Sequence, residues 1–197
     1  MIGMARGFQV AALAALLLAA ACHRAAPVNR TNVASFAFHR KKPALPKPSP
    51  TAHLIQLPDS AIFVERGSTE EALAAFLASK EPAPRTFRFP GAEFEPWQSK
   101  PNDATLRTMY AVAQILRAYP HSEVTLIGHT DDVGPAERNL KLSQARVERM
   151  AQLLVHAGIE PRRIAMVGHG QRDPIADNRT DQGKARNRRI ELVVTAK

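Results

Sequence analysis

The sequence contains a single cysteine, Cys22, among 197 residues. One cysteine cannot form an internal disulfide, so a fold stapled by disulfides is excluded. A four-ligand zinc site built from Cys and His is not predicted either, because His129 and His169 lie on separate segments with no Cys partner. Acidic residues are also absent from residues 23–58, although the chain as a whole has 18 Asp and Glu against 27 Lys and Arg.

An uninterrupted apolar run occupies residues 10–21 and ends directly before Cys22, with Arg6 as the only cation ahead of it. The run is short for a membrane span and is typical of a secretory signal, so we predict a signal peptide over 1–21. Leu18-Ala19-Ala20-Ala21-Cys22 resembles the lipobox of bacterial lipoproteins, although Ala19 stands where an aliphatic residue is usual. The resemblance implies lipidation of Cys22; a plain cleaved signal and an uncleaved anchor are the alternatives.

Residues 22–58 are predicted to be a lipidated cysteine followed by a basic, proline-rich linker. Proline lacks a backbone donor and favours the extended polyproline II conformation, in which roughly 35 residues reach on the order of 100 Å. A net charge of +9 would draw the protein toward any anionic surface. Nucleic acid is not a predicted partner, because the export signal conflicts with it. The residue after Cys22 is His23, whereas lipoproteins of enteric bacteria that stay at the inner membrane have Asp at this position. By resemblance to that sorting rule, we predict that the protein is located at the periplasmic face of the outer membrane.

Residues 59–85 are predicted to form a small accessory segment. Residues 61–64 favour a strand, and Ser68-Thr69-Glu70-Glu71 has the spacing of a capping box, which predicts a short helix over 69–79. This segment is too small to bury a core of its own, so we expect it to pack on the main domain or to serve a partner.

Residues 86–197 show an alternation of strand and helix patterns that predicts an α+β fold. Asn102 can cap the first helix, Pro120 ends it, and Gly158 follows the second. The order of the elements is βαβαβ, followed by a long polar loop and a last strand. This order predicts a two-layer sandwich in which a mixed sheet has its helices on one face. The predicted elements are strand 86–89, helix 103–119, strand 123–127, helix 143–157, strand 163–167 and strand 190–194.

Three short motifs carry the charged residues of this region. The first, Gly128-His129-Thr130-Asp131, places a carboxylate where a strand ends, and the second, residues 142–146, ends in Arg146. If the second helix packs beside that strand, Asp131 and Arg146 converge on one rim, and the last loop brings Arg188 and Arg189 back to the same edge. An ordinary structural ion pair is the alternative, and such pairs contribute only about 0–1 kcal/mol at a surface.

The third motif is Asn187-Arg188-Arg189. Together the three motifs resemble those of the OmpA-like peptidoglycan-binding domain, and the resemblance extends over roughly residues 103–195. The resemblance implies a pocket for diaminopimelate, the residue of the peptidoglycan stem peptide that carries a free ammonium and carboxylate at one stereocentre. It implies that Asp131 takes the ammonium, that Arg146 and Arg188 contact the carboxylate, and that Thr130 and Asn139 line the pocket. No cofactor and no metal are implied.

The sequence therefore predicts an outer-membrane lipoprotein that binds peptidoglycan and catalyses no reaction. An alternative is a structural subunit of an envelope-spanning machine, such as a secretion system or a stator, which would contact its partners through residues 54–101. An enzyme is not predicted, because Ser143 has no His or Lys placed to activate it and is expected to cap a helix.

Overall fold

The computed structural model describes residues 50–89 and 101–197. The predicted signal peptide, Cys22, most of the predicted linker and the segment 90–100 lie outside the described residues. In the part that is described, no helix is long and apolar enough to cross a bilayer.

Six strands and four α-helices follow one another along the described chain. The two sheets are a β1–β2 hairpin and a four-stranded sheet in the order β3-β6-β4-β5. Only β4 and β5 are parallel, and the other pairs are antiparallel. The elements are β1 (Ala52–Gln56), β2 (Ala61–Glu65), α1 (Thr69–Ala78), β3 (Arg85–Phe89), α2 (Asp103–Ala118), β4 (Glu123–His129), α3 (Ala136–His156), a 3-10 turn (Pro161–Arg163), β5 (Ile164–Gly170), α4 (Asp181–Asn187) and β6 (Ile190–Ala196).

The predicted α+β fold with a mixed sheet is confirmed. Helix α3 packs on β4 and β5, and α2 packs beside α3. The predicted cap of α2 is also confirmed, because the side chain of Asn102 accepts the backbone N–H of Thr105 at 2.8 Å. Gly158 follows α3 with a φ of 94°, a left-handed conformation that glycine adopts without steric cost.

Helix α3 begins seven residues before the predicted start, at Ala136 rather than Ser143. Pro135 precedes it with a φ of −64°, a geometry that suits the entry to a helix, and nothing between them interrupts the helix. Ser143 was wrongly predicted to be an N-cap. It lies inside α3, donates to the carbonyl of Leu140 and accepts the backbone N–H of Gly170 at 2.8 Å.

The accessory segment shares one hydrophobic core with the rest of the described chain. Its buried side chains belong to the same cluster as those of α2 and the four-stranded sheet: Ile62, Val64, Leu73, Phe76 and Leu77. The Nζ of Lys197 donates to the carbonyls of Phe76 (2.6 Å) and Ser79 (2.8 Å) and lies 4.1 Å from the centre of the Phe76 ring. The last residue of the chain therefore holds the C-terminal end of α1.

Strand β1 lies in residues that the sequence assigned to the linker. Its sequence, Ala-His-Leu-Ile-Gln, does not alternate strictly between apolar and polar residues, and its burial is irregular. The local pattern therefore does not indicate a strand. The extended conformation is stabilised by pairing with β2, in which Leu54 lies opposite Phe63. Such pairing is a long-range effect that a short sequence window does not contain.

Candidate functional site

An acidic and a basic side chain meet at the edge of the sheet where the parallel strands β4 and β5 end. Asp131 follows β4, and its Oδ2 accepts a hydrogen bond of 2.8 Å from Nη1 of Arg188, which precedes β6. The side chain of Asp131 is 13% exposed, whereas that of Arg188 is 47% exposed. The other carboxylate oxygen of Asp131 accepts the backbone N–H of Val133 at 3.3 Å. The carboxylate is therefore fixed, and the arginine has room to move.

A third charge lies beneath this pair. Arg146 lies in the middle of α3, because the helix begins at Ala136 and not at the predicted Ser143, which would have put Arg146 in the first turn. Its side chain is buried, and the residue is only 4% exposed. Burial lowers the pKa of its guanidinium to about 10; the nearby charge of Asp131 opposes that shift and the charge of Arg188 adds to it. The structure thus brings together three of the four charged residues that the motifs placed at one edge, Asp131, Arg146 and Arg188, and this group carries one negative and two positive charges.

Thr130 and Asn139 are buried and hold the loop rather than presenting polar groups to solvent. The hydroxyl of Thr130 donates to the carbonyl of Asp131 at 2.7 Å. The Nδ2 group of Asn139 lies within hydrogen-bond distance of the carbonyls of Asp131 and Val133 and of the side-chain oxygen of Gln171 (3.3, 3.2 and 2.8 Å). One amide therefore joins the loop after β4 to the loop after β5.

The two consecutive arginines directly before β6 point to opposite faces of the sheet. Arg188 reaches Asp131, whereas the buried Arg189 donates to Glu191 Oε1 at 2.8 Å and to the carbonyl of Asp173 at 3.2 Å. Successive side chains of an extended chain alternate in direction, which separates the two. Burial opposes ionisation of Glu191, but hydrogen bonds from Arg189 and Arg88 outweigh it and lower its pKa.

His129 supports the turn from the same side as Arg189. It is buried, its Nδ1 lies 3.4 Å from the carbonyl oxygen of Arg172, and its ring packs edge-on against His169 at 5.3 Å. Burial, followed by the charge of Arg189, lowers the pKa of His129 to about 4, so the ring is neutral at neutral pH. Within residues 50–89 and 101–197, no group of three or more His, Cys, Asp or Glu side chains could hold a metal ion.

Two glycines, Gly128 and Gly168, set the position of the charged group. A Cβ at Gly168 would lie 2.6 Å from the backbone nitrogen of Gln144, and a Cβ at Gly128 would lie 2.6 Å from the backbone oxygen of Ser143. These glycines let α3 lie directly on β4 and β5, which sets the depth of Arg146. The Gly-His and Gly-His-Gly segments were the available signal, but the sequence does not show which element approaches them.

The sequence predicts no role for Asn187 beyond its place in the third motif. Its Oδ1 accepts the backbone N–H groups of Ile175 (2.8 Å) and Ala176 (3.0 Å), and its Nδ2 donates to the carbonyl of Ala176 and to Asn178 (both 2.8 Å). All of its polar atoms are thus used to hold the loop after β5 against the end of α4. Helix α4 follows this loop, where the sequence predicts only a long polar loop.

Two curated relatives are similar to this chain over a little less than half of its length. The sequence is 40% identical over 92 residues to a probable lipoprotein, YiaD, of Escherichia coli, covering 47% of this chain and 42% of that protein. It is 45% identical over 83 residues to the peptidoglycan-binding protein ArfA of Mycobacterium tuberculosis, covering 42% of this chain and 26% of that protein. The matched segment therefore spans less than half the length of either relative.

A solved structure shows the same fold over a longer stretch. The cell wall anchor of the T6SS from Pseudomonas aeruginosa is 28% identical, with a TM-score of 0.51, and the similarity covers 68% of this chain and 100% of that one. The model of the OmpA family matches residues 94–188. The C-terminal half of this chain therefore contains a match to the OmpA family, and it has the mixed sheet and helices that the sequence predicted.

Proposed function

We propose that this protein binds the diaminopimelate-containing stem peptide of peptidoglycan without covalent chemistry and so tethers the outer membrane to the cell wall. The observation that carries this proposal is the convergence of Asp131, Arg146 and Arg188 at one edge of the sheet. A stereocentre with a free ammonium and a free carboxylate is complementary to one acidic and two basic groups. The similarity to proteins described as a peptidoglycan-binding protein and a cell wall anchor supports the same assignment.

In this proposal each charged residue has a separate task. The ammonium of the ligand takes the place of Arg188 at the carboxylate of Asp131, which stays fixed by Val133. Arg188, about half exposed, then turns to the ligand carboxylate, where Arg146 already provides a desolvated guanidinium. Charge-assisted hydrogen bonds contribute roughly 1.5–3 kcal/mol each, so two or three give a modest affinity. Modest affinity is sufficient between two multivalent surfaces, because each bound domain holds its neighbours close to further sites.

Sedimentation with insoluble wall tests this assignment. We expect the protein to sediment with wall whose stem peptides contain diaminopimelate and to stay in the supernatant with wall that has lysine at the same position. A lysine side chain ends in an ammonium without the adjoining carboxylate, so it offers Arg146 and Arg188 nothing to bind. Equal retention by the two kinds of wall would contradict recognition of this group and leave only a general attraction of a basic protein.

Attachment at the other end is proposed to be a lipid on Cys22, at the periplasmic face of the outer membrane. The similarity to a probable lipoprotein supports an envelope location. Residues 22–58 are proposed to act mainly as the linker and 59–85 as the accessory segment, with 86–197 as the wall-binding domain. No catalysis is proposed: Ser143, the residue that a nucleophile hypothesis would require, is buried in α3 with its hydroxyl bonded to Leu140 and Gly170.

A second candidate function is that of a wall-anchoring subunit in an envelope-spanning machine. The similarity to the T6SS cell wall anchor covers the whole of that chain. In addition, Leu54 and Phe63 lie opposite each other on the outer face of the β1–β2 hairpin and are 53% and 57% exposed. In this hypothesis the pair contacts another protein of the complex.

Purification from membranes after digestion of the wall distinguishes the two functions. A subunit should retain a stoichiometric protein partner, and the double variant Leu54→Ser/Phe63→Ser should lose it while still binding wall. A simple tether should be recovered alone after digestion, which would contradict the second function.

A further inference from the structure

Large apolar side chains are exposed at four positions in the described part of the chain. Two of them, Leu54 and Phe63, form the pair on the hairpin. The other two, Val133 and Ile175, are 41% and 39% exposed and lie in the loops after β4 and β5. These are the loops that Asn139 joins beside the charged group.

The backbone of each apolar residue is fixed to the charged group. Val133 donates its N–H to the carboxylate of Asp131, and its carbonyl accepts from Asn139 at 3.2 Å. Ile175 donates its N–H at 2.8 Å to Asn187, the residue directly before Arg188. Val133 therefore lies on the Asp131 side of the charged group, and Ile175 on the Arg188 side.

Single exposed apolar residues are common and need no explanation when they are scattered. Val133 and Ile175 differ because both are held beside one polar site. Pro174 also restricts the backbone directly before Ile175. Since the backbone at both positions is held in place before any ligand arrives, little backbone entropy would be lost on contact.

We propose that Val133 and Ile175 form an apolar rim that binds the alkyl groups of the peptide residues next to the diamino acid. The preferred ligand is then an extended stem peptide rather than the isolated diamino acid. This inference rests on the proposed function, because the charged group must first hold the diamino acid between the two side chains.

Calorimetric titration of the full chain with two ligands tests the rim. Wild-type protein should bind a stem tetrapeptide more tightly than free diaminopimelate. Val133→Thr and Ile175→Thr should each weaken binding of the tetrapeptide about fivefold, as expected when roughly 40 Å² of apolar surface is no longer covered. Both variants should bind free diaminopimelate as the wild type does.

Leu54→Thr is the matched control, since Leu54 is at least as exposed but lies on the hairpin. It should bind both ligands like the wild type. Unchanged tetrapeptide affinity in both rim variants, or an equal loss for both ligands, would overturn the apolar rim and leave the proposed function standing. A wild-type protein that binds neither ligand would overturn the proposed function and the rim together.

Discussion

Arg146→Met should reduce sedimentation with peptidoglycan to background while the domain stays folded. The guanidinium is 4% exposed, and burial already lowers its pKa to about 10, so the folded protein holds this charge at a cost. Methionine keeps much of the volume without the charge. Asp131 stays paired with Arg188 in this variant, so no buried carboxylate is left alone.

The expected loss of affinity is about 3 kcal/mol, or on the order of 100-fold, because up to two charge-assisted hydrogen bonds to the ligand disappear. Arg149→Met is the matched control: Arg149 lies on the same helix, is exposed and bonds to Gln152. It should bind wall normally. Normal binding by a folded Arg146→Met variant would contradict the contact between Arg146 and the ligand.

Cys22→Ser should move the protein from the membrane fraction to the soluble periplasm. Serine cannot be lipidated through a thioether, and the apolar run at 10–21 is short for a membrane span. The linker and the wall-binding domain are unchanged, so the released protein should still sediment with isolated wall. Cell fractionation followed by immunoblotting measures both properties.

His23→Asp is the companion variant for this experiment. It keeps the cysteine and, by the sorting rule of enteric bacteria, should move the protein to the inner membrane without releasing it. Membrane association of Cys22→Ser equal to that of the wild type would contradict the lipid anchor and favour an uncleaved signal segment.

Elements with their own local signals were predicted well. Asn102 and Gly158 mark helix ends through backbone conformation and capping bonds, which involve only neighbouring residues. Strand β1 and the start of α3 were not predicted, for two different reasons. Strand β1 depends on a partner strand, and the first two turns of α3 contain polar residues that fit a loop and a helix equally well.

The sequence predicted which charged residues form the candidate site, but not the packing that positions them. Motif spacing indicated that Asp131, Arg146 and Arg188 would converge, and the structure brings them together. The separation of Arg188 from Arg189 depends on the alternation of β6, and the depth of Arg146 depends on how closely α3 approaches Gly168. These are properties of packed elements, and neither is visible in the residues of one motif.

The opposite directions of Arg188 and Arg189 limit how this chain can change in length. One residue inserted between Asn187 and Ile190 would shift the alternation of side chains and exchange the positions of the two arginines. The side chain of Arg188 would then turn away from Asp131 to the other face of the sheet. Insertions in the loop before Asn187 leave that alternation intact. The length of the segment between Asn187 and Ile190 should therefore stay constant in natural and engineered versions of this domain.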